Sequence, residues 1–182
     1  MIRFFDLIFS LIGLILLFPI FLILLVIGYF DTGSPLFFQR RVGKNKIVFT
    51  LIKFRTMHPN TNSVATHLVN KVAITPFGSF LRKSKLDELP QLINVMLGQM
   101  SLVGPRPNLE NQFELIKFRQ EFGVYNVRPG ITGLAQINEI DMSTPQLLAE
   151  TDRKMINHFS IIKYFEYIFA TISGKGSGDR IK

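Results

Sequence analysis

A long apolar run opens the sequence. Residues 7–29 carry no charge, and at about 1.5 Å of helical rise per residue such a run can cross a bilayer core of about 30 Å. Pro19 lies near its middle, where it removes one backbone donor and its ring collides with the carbonyl oxygen of Ile15. The pattern therefore predicts an anchoring membrane helix over residues 1–32 with a kink at Pro19.

The kink leaves two topologies open. If the second half of the helix turns back, both ends emerge on one face of the membrane, and both flanks are basic: Arg3 precedes the run and Arg40, Arg41, Lys44 and Lys46 follow it. The alternative is an ordinary spanning helix with a tolerated kink. In both cases the larger positive cluster predicts that the rest of the chain is cytoplasmic.

Residues 35–57 read as two β-rich runs joined by a Gly-Lys-Asn-Lys turn, which predicts a β-hairpin. In the second strand Lys53 and Arg55 should point to one side, with Ile52 and Phe54 on the other. A solvated strand edge would explain the two cations without any function.

Helical spacing returns further along the chain. A threonine and a proline start a short helix predicted over residues 75–84, which would bring Arg82 close to the acidic residues that follow. A second, amphipathic helix is predicted over residues 108–123, with Asn108 as its cap and Gly123 as its stop.

The rest of the pattern completes the predicted fold. Residues 145–173 are predicted to be helical and aromatic-rich, with some side chains in a membrane interface. Residues 58–74 predict a polar loop and residues 174–182 a flexible tail. The predicted fold is α+β and mainly helical: the anchoring helix is followed by a small cytoplasmic domain over residues 33–173, with a β-hairpin and interfacial amphipathic helices.

Composition and charge narrow the range of partners. Of the 182 residues 47% are hydrophobic, and 21 Lys and Arg against 13 Asp and Glu give a formal net charge of +8. This charge suits anionic partners such as nucleic acid, acidic headgroups or phosphorylated substrates. The absence of cysteine excludes disulfides and thiolate metal sites, and the scattered histidines do not suggest a zinc site.

Two adjacent acids, Asp87 and Glu88, precede a predicted helix that ends at Gly98. The apolar positions of this helix recur at helical spacing and predict a buried face. These positions are Leu89, Leu92, Ile93, Met96 and Leu97. Pro90 fits the first turn, where its missing donor costs nothing, so Asp87 is expected at or next to the N-cap. Helix capping accounts for Asp87 but leaves Glu88 without a specific role.

Two loops fixed by glycine and proline turns carry arginines. Residues 98–107 lead to Arg106, and residues 127–138 contain Arg128. Rigid loops of this kind can hold phosphate oxygens in a bidentate grip. A carboxylate approaches a diphosphate only when cations offset the repulsion, so a phosphoryl-transfer site that uses Asp needs Arg, Lys and usually Mg²⁺ nearby. The sequence contains the required protein groups.

Three motifs then identify a family. "KFRTM", "LDELPQLINVMLGQMSLVGPRP" and "VRPGITGLAQIN" follow an N-terminal hydrophobic segment in that order. Together they resemble the bacterial sugar transferases, also called monotopic phosphoglycosyl transferases. The resemblance covers nearly the whole chain, from about residue 3 to residue 173, so the chain corresponds to a compact form with little beyond the catalytic core.

The resemblance implies a reaction. Members of that family transfer a sugar phosphate, usually from a UDP-sugar, to polyprenyl (undecaprenyl) phosphate at the cytoplasmic face of the bacterial inner membrane. UMP is released, and the lipid-linked product starts a glycan. The implied partners are the UDP-sugar, the polyprenyl phosphate and membrane lipids, without nucleic acid. The sequence leaves homodimerisation and the identity of the sugar open.

The resemblance also implies roles for residues. Asp87 would be the nucleophile that forms a phosphosugar-aspartyl intermediate, and Glu88 would hold Mg²⁺. Lys53, Arg82 and Arg106 fall on family positions associated with phosphate binding.

Two positions depart from the family pattern. The family's hydrophobic helix is re-entrant and bends at a Ser-Pro pair, where this chain has Phe18 before Pro19. Gln99 stands where relatives commonly carry an acid.

Two other functions fit parts of the pattern. A non-enzymatic, membrane-anchored basic domain would explain the charge and the anchor, but not Asp87 and Glu88 beside arginines. A hydrolase of nucleotide or lipid-linked diphosphates could use the same acids with water as acceptor, and only the family resemblance argues against it.

Overall fold

The computed structural model describes residues 1–59, 61 and 73–176. Most of the predicted loop 58–74 and the end of the predicted tail 174–182 lie outside the described residues. The helices are α1 (Ile2–Leu16), α2 (Phe18–Thr32), α3 (Pro76–Lys83), α4 (Gln91–Met96), α5 (Phe113–Glu121), α6 (Leu134–Ile137), α7 (Pro145–Asn157) and α8 (Ile161–Ile172). The strands are β1 (Leu36–Val42), β2 (Val48–Phe54), β3 (Ser101–Val103) and β4 (Gly130–Thr132). The fold is therefore mixed and mostly helical, as the sequence predicts.

The N-terminal apolar run forms two helices rather than one. α1 and α2 meet at Leu17 with a bend of 63°, and Pro19 lies in the first turn of α2. The bend predicted at Pro19 is confirmed. Across the described parts of the chain, no single helix is both long and apolar enough to cross a bilayer, whereas the bent pair together meets the requirements of length and composition.

Two polar residues fasten α1 to the rest of the protein. Arg3 donates to carbonyl oxygens at the C-terminal end of α4, with Nη2 2.7 Å from the oxygen of Val95. Asp6 is buried, and its Oδ1 accepts hydrogen bonds from the Leu102 amide at 2.9 Å and the Tyr164 hydroxyl at 3.0 Å. Burial, together with the Asp6 charge, raises the pKa of Tyr164. α1 is thus bound through its first two turns to α4, β3 and α8.

The helix pair beyond those turns presents a large apolar surface. Its exposed side chains are Phe9, Leu11, Ile12, Ile15, Leu16, Phe18, Ile20, Leu22, Ile23, Val26, Ile27, Tyr29 and Phe30. α8 adds Ile162, Phe169 and Ile172, while Tyr164 and Tyr167 on the same helix are buried. An exposed apolar surface of this size is typical of a membrane or protein contact.

The predicted hairpin is confirmed. β1 pairs antiparallel with β2, and Phe37 lies opposite Lys53. Lys53 is 8% exposed and shares the inner face of β2 with Phe49 and Leu51, so a solvated strand edge does not explain it. Arg55 follows the strand, and its guanidinium lies 5.4 Å from the centre of the Phe37 ring.

The two segments predicted as loops contain a short parallel sheet. β3 pairs with β4 so that Ser101 lies opposite Gly130 and Val103 opposite Thr132. A Cβ on Gly130 would lie 2.0 Å from the backbone nitrogen of Gly104, so the close approach of the two backbones requires glycine. Strands of this length are too short to show the alternation on which the prediction depended.

Two predicted helices have different bounds in the structure. The helix predicted over 108–123 begins only at Phe113, because Asn108 is fully buried and accepts side-chain hydrogen bonds instead of capping. Its predicted stop at Gly123 is confirmed by a left-handed φ of 68°. The helical stretch predicted over 145–173 is broken at residues 158–160, where Ser160 caps α8 by accepting from the amide of Lys163.

Candidate active site

The acidic pair lies in a 3-10 turn of its own, Leu86–Glu88. Lys85 precedes the turn in the left-handed region with φ 57°, and the amide of Glu88 donates to the Lys85 carbonyl at 3.2 Å. α4 begins only at Gln91. The expectation that Asp87 caps this helix is therefore wrong, since the chain turns once more between the acid and the helix.

Leucines on both sides of the acids anchor this turn against the N-terminal helices. Leu86 and Leu89 pack against a cluster that contains Leu24 of α2, Phe54 of β2 and Leu81 of α3, which are buried. Asp87 is itself 4% exposed. The acidic turn is therefore held directly beside the apolar helix pair.

The buried face predicted for α4 is only half-buried, since Leu89, Leu92, Ile93 and Met96 are partly exposed. The residues that α4 buries are Gln91, Asn94 and Val95, whereas Leu97 is 65% exposed. The apolar face turns instead toward α1, where a Cβ on Gly13 would lie 3.1 Å from Leu92.

Amide side chains suit the buried side of α4 because it faces a strand backbone. Asn94 donates to the Thr50 carbonyl at 2.8 Å, and its Oδ1 accepts from the Ile52 amide at 3.1 Å. Asn94 also donates to Oε1 of Gln99 at 2.6 Å. Gln99, the residue that departs from the family pattern, thus serves as a neutral acceptor behind α4.

Glu88 joins two cations from distant parts of the chain. Its Oε1 accepts from Nζ of Lys53 at 3.1 Å and from Nη2 of Arg106 at 2.9 Å. The side chains of Glu88, Lys53 and Arg106 are 12%, 10% and 24% exposed. Charge-assisted bonds are strong in such partly dehydrated surroundings. The structure therefore brings three of the predicted site residues together.

α3 carries Arg82 to the end of β2. Nε of Arg82 donates to Oγ1 of Thr56 at 2.9 Å, and the helix lies so close that a Cβ on Gly78 would be 2.1 Å from the Thr56 carbonyl oxygen. Thr75 caps α3 by accepting from the Gly78 amide. α3 also packs against the acidic turn, while the proximity of the Arg82 side chain to the two acids stays a prediction. Its contact with phosphate stays a prediction.

Arg128 lies at the opposite end of α4. Its Nε donates to the carbonyl of Gly98 at 2.8 Å, just beyond the C-terminal end of the helix, while Asp87 and Glu88 precede the helix. Arg128 instead lines a cavity together with Arg3 and Lys44. Arg128 is therefore separate from the Glu88 cluster, and its role in phosphate binding stays a prediction.

A buried network behind Arg106 was missed from the sequence. Arg119 binds Oδ2 of Asp152 through Nη2 at 2.7 Å, and its Nη1 donates to the Arg106 carbonyl at 2.8 Å and to Asn108 at 3.0 Å. Burial raises the pKa of Asp152, and the Arg119 charge opposes this effect. Tyr125 donates to Asn108 at 3.0 Å. The network fixes the backbone from which Arg106 reaches Glu88.

The signal for this network lies in α5. Leu115 and Arg119 stand one turn apart and are both buried, so an arginine occupies the apolar face of an amphipathic helix. Such a position predicts a buried carboxylate partner but does not identify it.

Lys85 connects the acidic turn to α8. Its Nζ donates to the carbonyl oxygens of Lys175 at 2.9 Å and Thr171 at 3.4 Å. Burial lowers the pKa of Lys85, and the nearby Glu88 charge opposes this effect.

The acidic turn offers few protein ligands for a metal ion. No three His, Cys, Asp or Glu side chains cluster within the described residues. Mg²⁺ usually keeps several waters and takes one or two carboxylates together with substrate phosphates. Glu88 would supply one such carboxylate, and magnesium at this turn stays a prediction.

The comparisons with known proteins agree on one family. The profile of the family described as bacterial sugar transferase matches residues 1–175. The exopolysaccharide production protein ExoY of Sinorhizobium fredii is 35% identical over an alignment that covers 93% of this chain and 83% of the relative. The UDP-glucose:undecaprenyl-phosphate glucose-1-phosphate transferase of Xanthomonas campestris is 41% identical over 84% of this chain and 32% of the relative. The UDP-galactose-lipid carrier transferase of Erwinia amylovora is 33% identical over 93% of this chain and 39% of its own length.

Proposed function

Because the chain belongs to the bacterial sugar transferase family, we propose that it transfers a sugar 1-phosphate from a UDP-sugar to polyprenyl phosphate and releases UMP. One observation carries the proposal. The acidic turn is anchored by Leu86 and Leu89 beside α2, and Glu88 within it is held by Lys53 and Arg106. Glu88 is thus fixed among cations, with Asp87 beside it in the chain, next to the apolar helices where a lipid acceptor would arrive.

The first half-reaction uses Asp87 as the nucleophile. A carboxylate oxygen of Asp87 attacks the sugar-bearing phosphorus of the donor, and the bond from that phosphorus to the bridging oxygen breaks. The electron pair stays on that oxygen, so UMP departs as an anion. The product on the enzyme is an aspartyl phosphosugar, whose burial with Asp87 limits hydrolysis.

The second half-reaction restores the enzyme. A phosphate oxygen of polyprenyl phosphate attacks the same phosphorus, and the bond to Asp87 breaks. The carboxylate of Asp87 is regenerated, and a lipid-linked sugar diphosphate forms. The apolar helix pair holds the site where this insoluble acceptor is concentrated, which raises its effective concentration.

The cations stabilise the charge that develops in both steps. Lys53 and Arg106 already bind Glu88 through Oε1, and Arg82 lies on the helix that packs against the turn. All three would neutralise phosphate oxygens in the transition state. A Mg²⁺ ion held by Glu88 and the diphosphate would supply further charge neutralisation at the leaving oxygens.

We place the enzyme at the cytoplasmic face of the bacterial inner membrane, with the α1–α2 pair as a re-entrant anchor. The bend of 63° and the exposed apolar surface of both helices support the re-entrant anchor, and the basic residues on both flanks support the cytoplasmic side. α8 would lie in the membrane interface through Ile162, Phe169 and Ile172.

An assay of UMP release tests the function. The solubilised protein is incubated with Mg²⁺, polyprenyl phosphate and a panel of UDP-sugars. We expect release of UMP with at least one donor, and the amount of UMP should rise with the amount of polyprenyl phosphate supplied. Failure with every donor would contradict the transferase. Continued release without lipid, beyond one equivalent of enzyme, would show a hydrolase instead.

Arg106→Gln should lower kcat by about a hundredfold, because the variant loses a cation that stabilises the transition state. Glu88 would keep Lys53 as a partner, so the protein should stay folded. Arg40→Gln is the matched control, since Arg40 forms an exposed ion pair with Glu110. Steady-state kinetics of both variants check the prediction. If Arg106→Gln and Arg40→Gln have equal kcat values, Arg106 does not take part in the reaction.

A further inference from the structure

A cavity of about 290 Å³ lies beside the first turn of α1. Its apolar walls include Ile2, Val103, Pro105, Met155, Ile156 and Phe159. Its polar lining includes three cations, Arg3, Lys44 and Arg128, and one carboxylate, Asp6. The cavity therefore combines an apolar interior with cations of a kind that bind anions.

The carboxylate does not cancel this positive charge. Asp6 is 2% exposed, and its Oδ1 accepts from Ser101, Leu102 and Tyr164. Its Oδ2 lies 4.0 Å from Nη1 of Arg3. Asp6 is thus committed to holding α1, and Lys44 and Arg128 set the charge that a ligand would meet.

Arg128 keeps donors available for a ligand. Its Nε is bound to the Gly98 carbonyl at 2.8 Å, while its two terminal nitrogens have no hydrogen bond to any described residue. Lys44 is exposed at the tip of the β1–β2 hairpin. A guanidinium fork with a nearby ammonium group suits the oxygens of a phosphate.

The cavity is distinct from the acidic turn. Arg3 and Arg128 both bind carbonyls at the C-terminal end of α4, and Asp87 and Glu88 precede its N-terminal end. The helix Gln91–Met96 separates them by about 9 Å at 1.5 Å per residue. Arg128 and the two acids therefore lie at opposite ends of α4.

The position of the cavity indicates which molecules carry such a phosphate. Ile2 begins the apolar helix pair, and Phe159 lies two residues before α8, whose Ile162 is exposed. A molecule with a phosphate and a hydrocarbon chain could place the chain along these apolar residues and the phosphate among the cations.

We propose that this cavity binds the phosphate headgroup of a membrane lipid, with the phosphate between Arg128 and Lys44 and the adjoining hydrocarbon against Ile156 and Phe159. Anionic phospholipid and polyprenyl phosphate share this chemistry. Binding of polyprenyl phosphate rests on the proposed function, because this lipid would be the acceptor, held in the cavity before it reaches Asp87. Binding of an anionic phospholipid does not rest on that function.

Binding to the full-length protein in neutral detergent tests the proposal. The probes are a short-chain phosphatidic acid and farnesyl phosphate, with farnesol and inorganic phosphate as controls. We expect at least one phosphorylated lipid to bind tighter than both controls. Lys44→Gln and Arg128→Gln should each weaken that binding about tenfold, whereas Arg153→Gln, an exposed cation elsewhere, should not.

The outcomes separate the cavity from the active site. Lys44 is exposed, so its variant should fold even if Arg128→Gln does not. The proposal is supported if the lipid still binds to the Asp87→Asn variant and still binds to the wild-type protein in an excess of UDP. The probe that binds more tightly identifies the source of the phosphate. Unchanged binding in Lys44→Gln, equal binding of inorganic phosphate, or displacement by UDP would overturn the proposal. None of these results depends on UMP release.

Discussion

Asp87→Asn is expected to lower UMP release by at least about 10³-fold while the protein stays folded. The amide has the shape of the carboxylate but lacks the negative charge and the nucleophilic oxygen that attacks phosphorus. The flanking leucines, which hold the turn beside α2, are unchanged. Single-turnover UMP release and a thermal unfolding curve, recorded on the same preparation, check the two parts of this prediction.

Glu110→Gln is the matched control for this variant. Glu110 is a partly exposed carboxylate that pairs with Arg40 at 2.9 Å, away from the acidic turn. The same chemical change there should leave UMP release near the wild-type value. If Asp87→Asn keeps near wild-type activity, Asp87 has only a structural role and the proposed mechanism is wrong.

Arg119→Met should lower the free energy of unfolding by about 3–5 kcal/mol, because it leaves the Asp152 carboxylate buried without its cation. The side chains of Arg119 and Asp152 are 2% and 1% exposed, so water cannot replace the lost partner. The variant also releases the Arg106 carbonyl and should lower activity further. Chemical denaturation measures the change in stability.

Two further variants test whether the loss of stability comes from the buried charge of Asp152. Arg40→Met removes one partner of an exposed ion pair and should cost at most about 1 kcal/mol. Adding Asp152→Leu to Arg119→Met removes the stranded charge and should recover much of the loss. Equal effects of Arg119→Met and Arg40→Met would show that the buried network does not hold this part of the fold.

Features set by neighbouring residues could be predicted from the sequence. The bend follows from Pro19, whose ring and missing donor act within one helical turn. The β1–β2 hairpin follows from two β-rich runs around one turn, and α3 from its Thr-Pro start. The site motifs could be recognised for the same reason, since Asp87 and Glu88 stand beside one another in the chain.

Features set by distant residues could not be predicted. Asp87 was expected at a helix cap, but Leu86 and Leu89 dock on α2 and draw the chain into a separate 3-10 turn. The burial of Lys53 depends on the face that β2 turns inward. Asn108 was expected as a cap, but Arg119 and Tyr125 bind it in the interior. Each contact joins positions whose relation appears only once the chain is folded.

The central claim is that a carboxylate beside the apolar helices becomes bonded to phosphorus during turnover. Intact-mass analysis of protein mixed with Mg²⁺ and a reactive UDP-sugar, without lipid acceptor, tests it most directly. We predict an added mass of one sugar phosphate, mapped to Asp87 and lost when polyprenyl phosphate is supplied. Product that accumulates with lipid present, while no adduct forms on Asp87 at any time, would contradict the account.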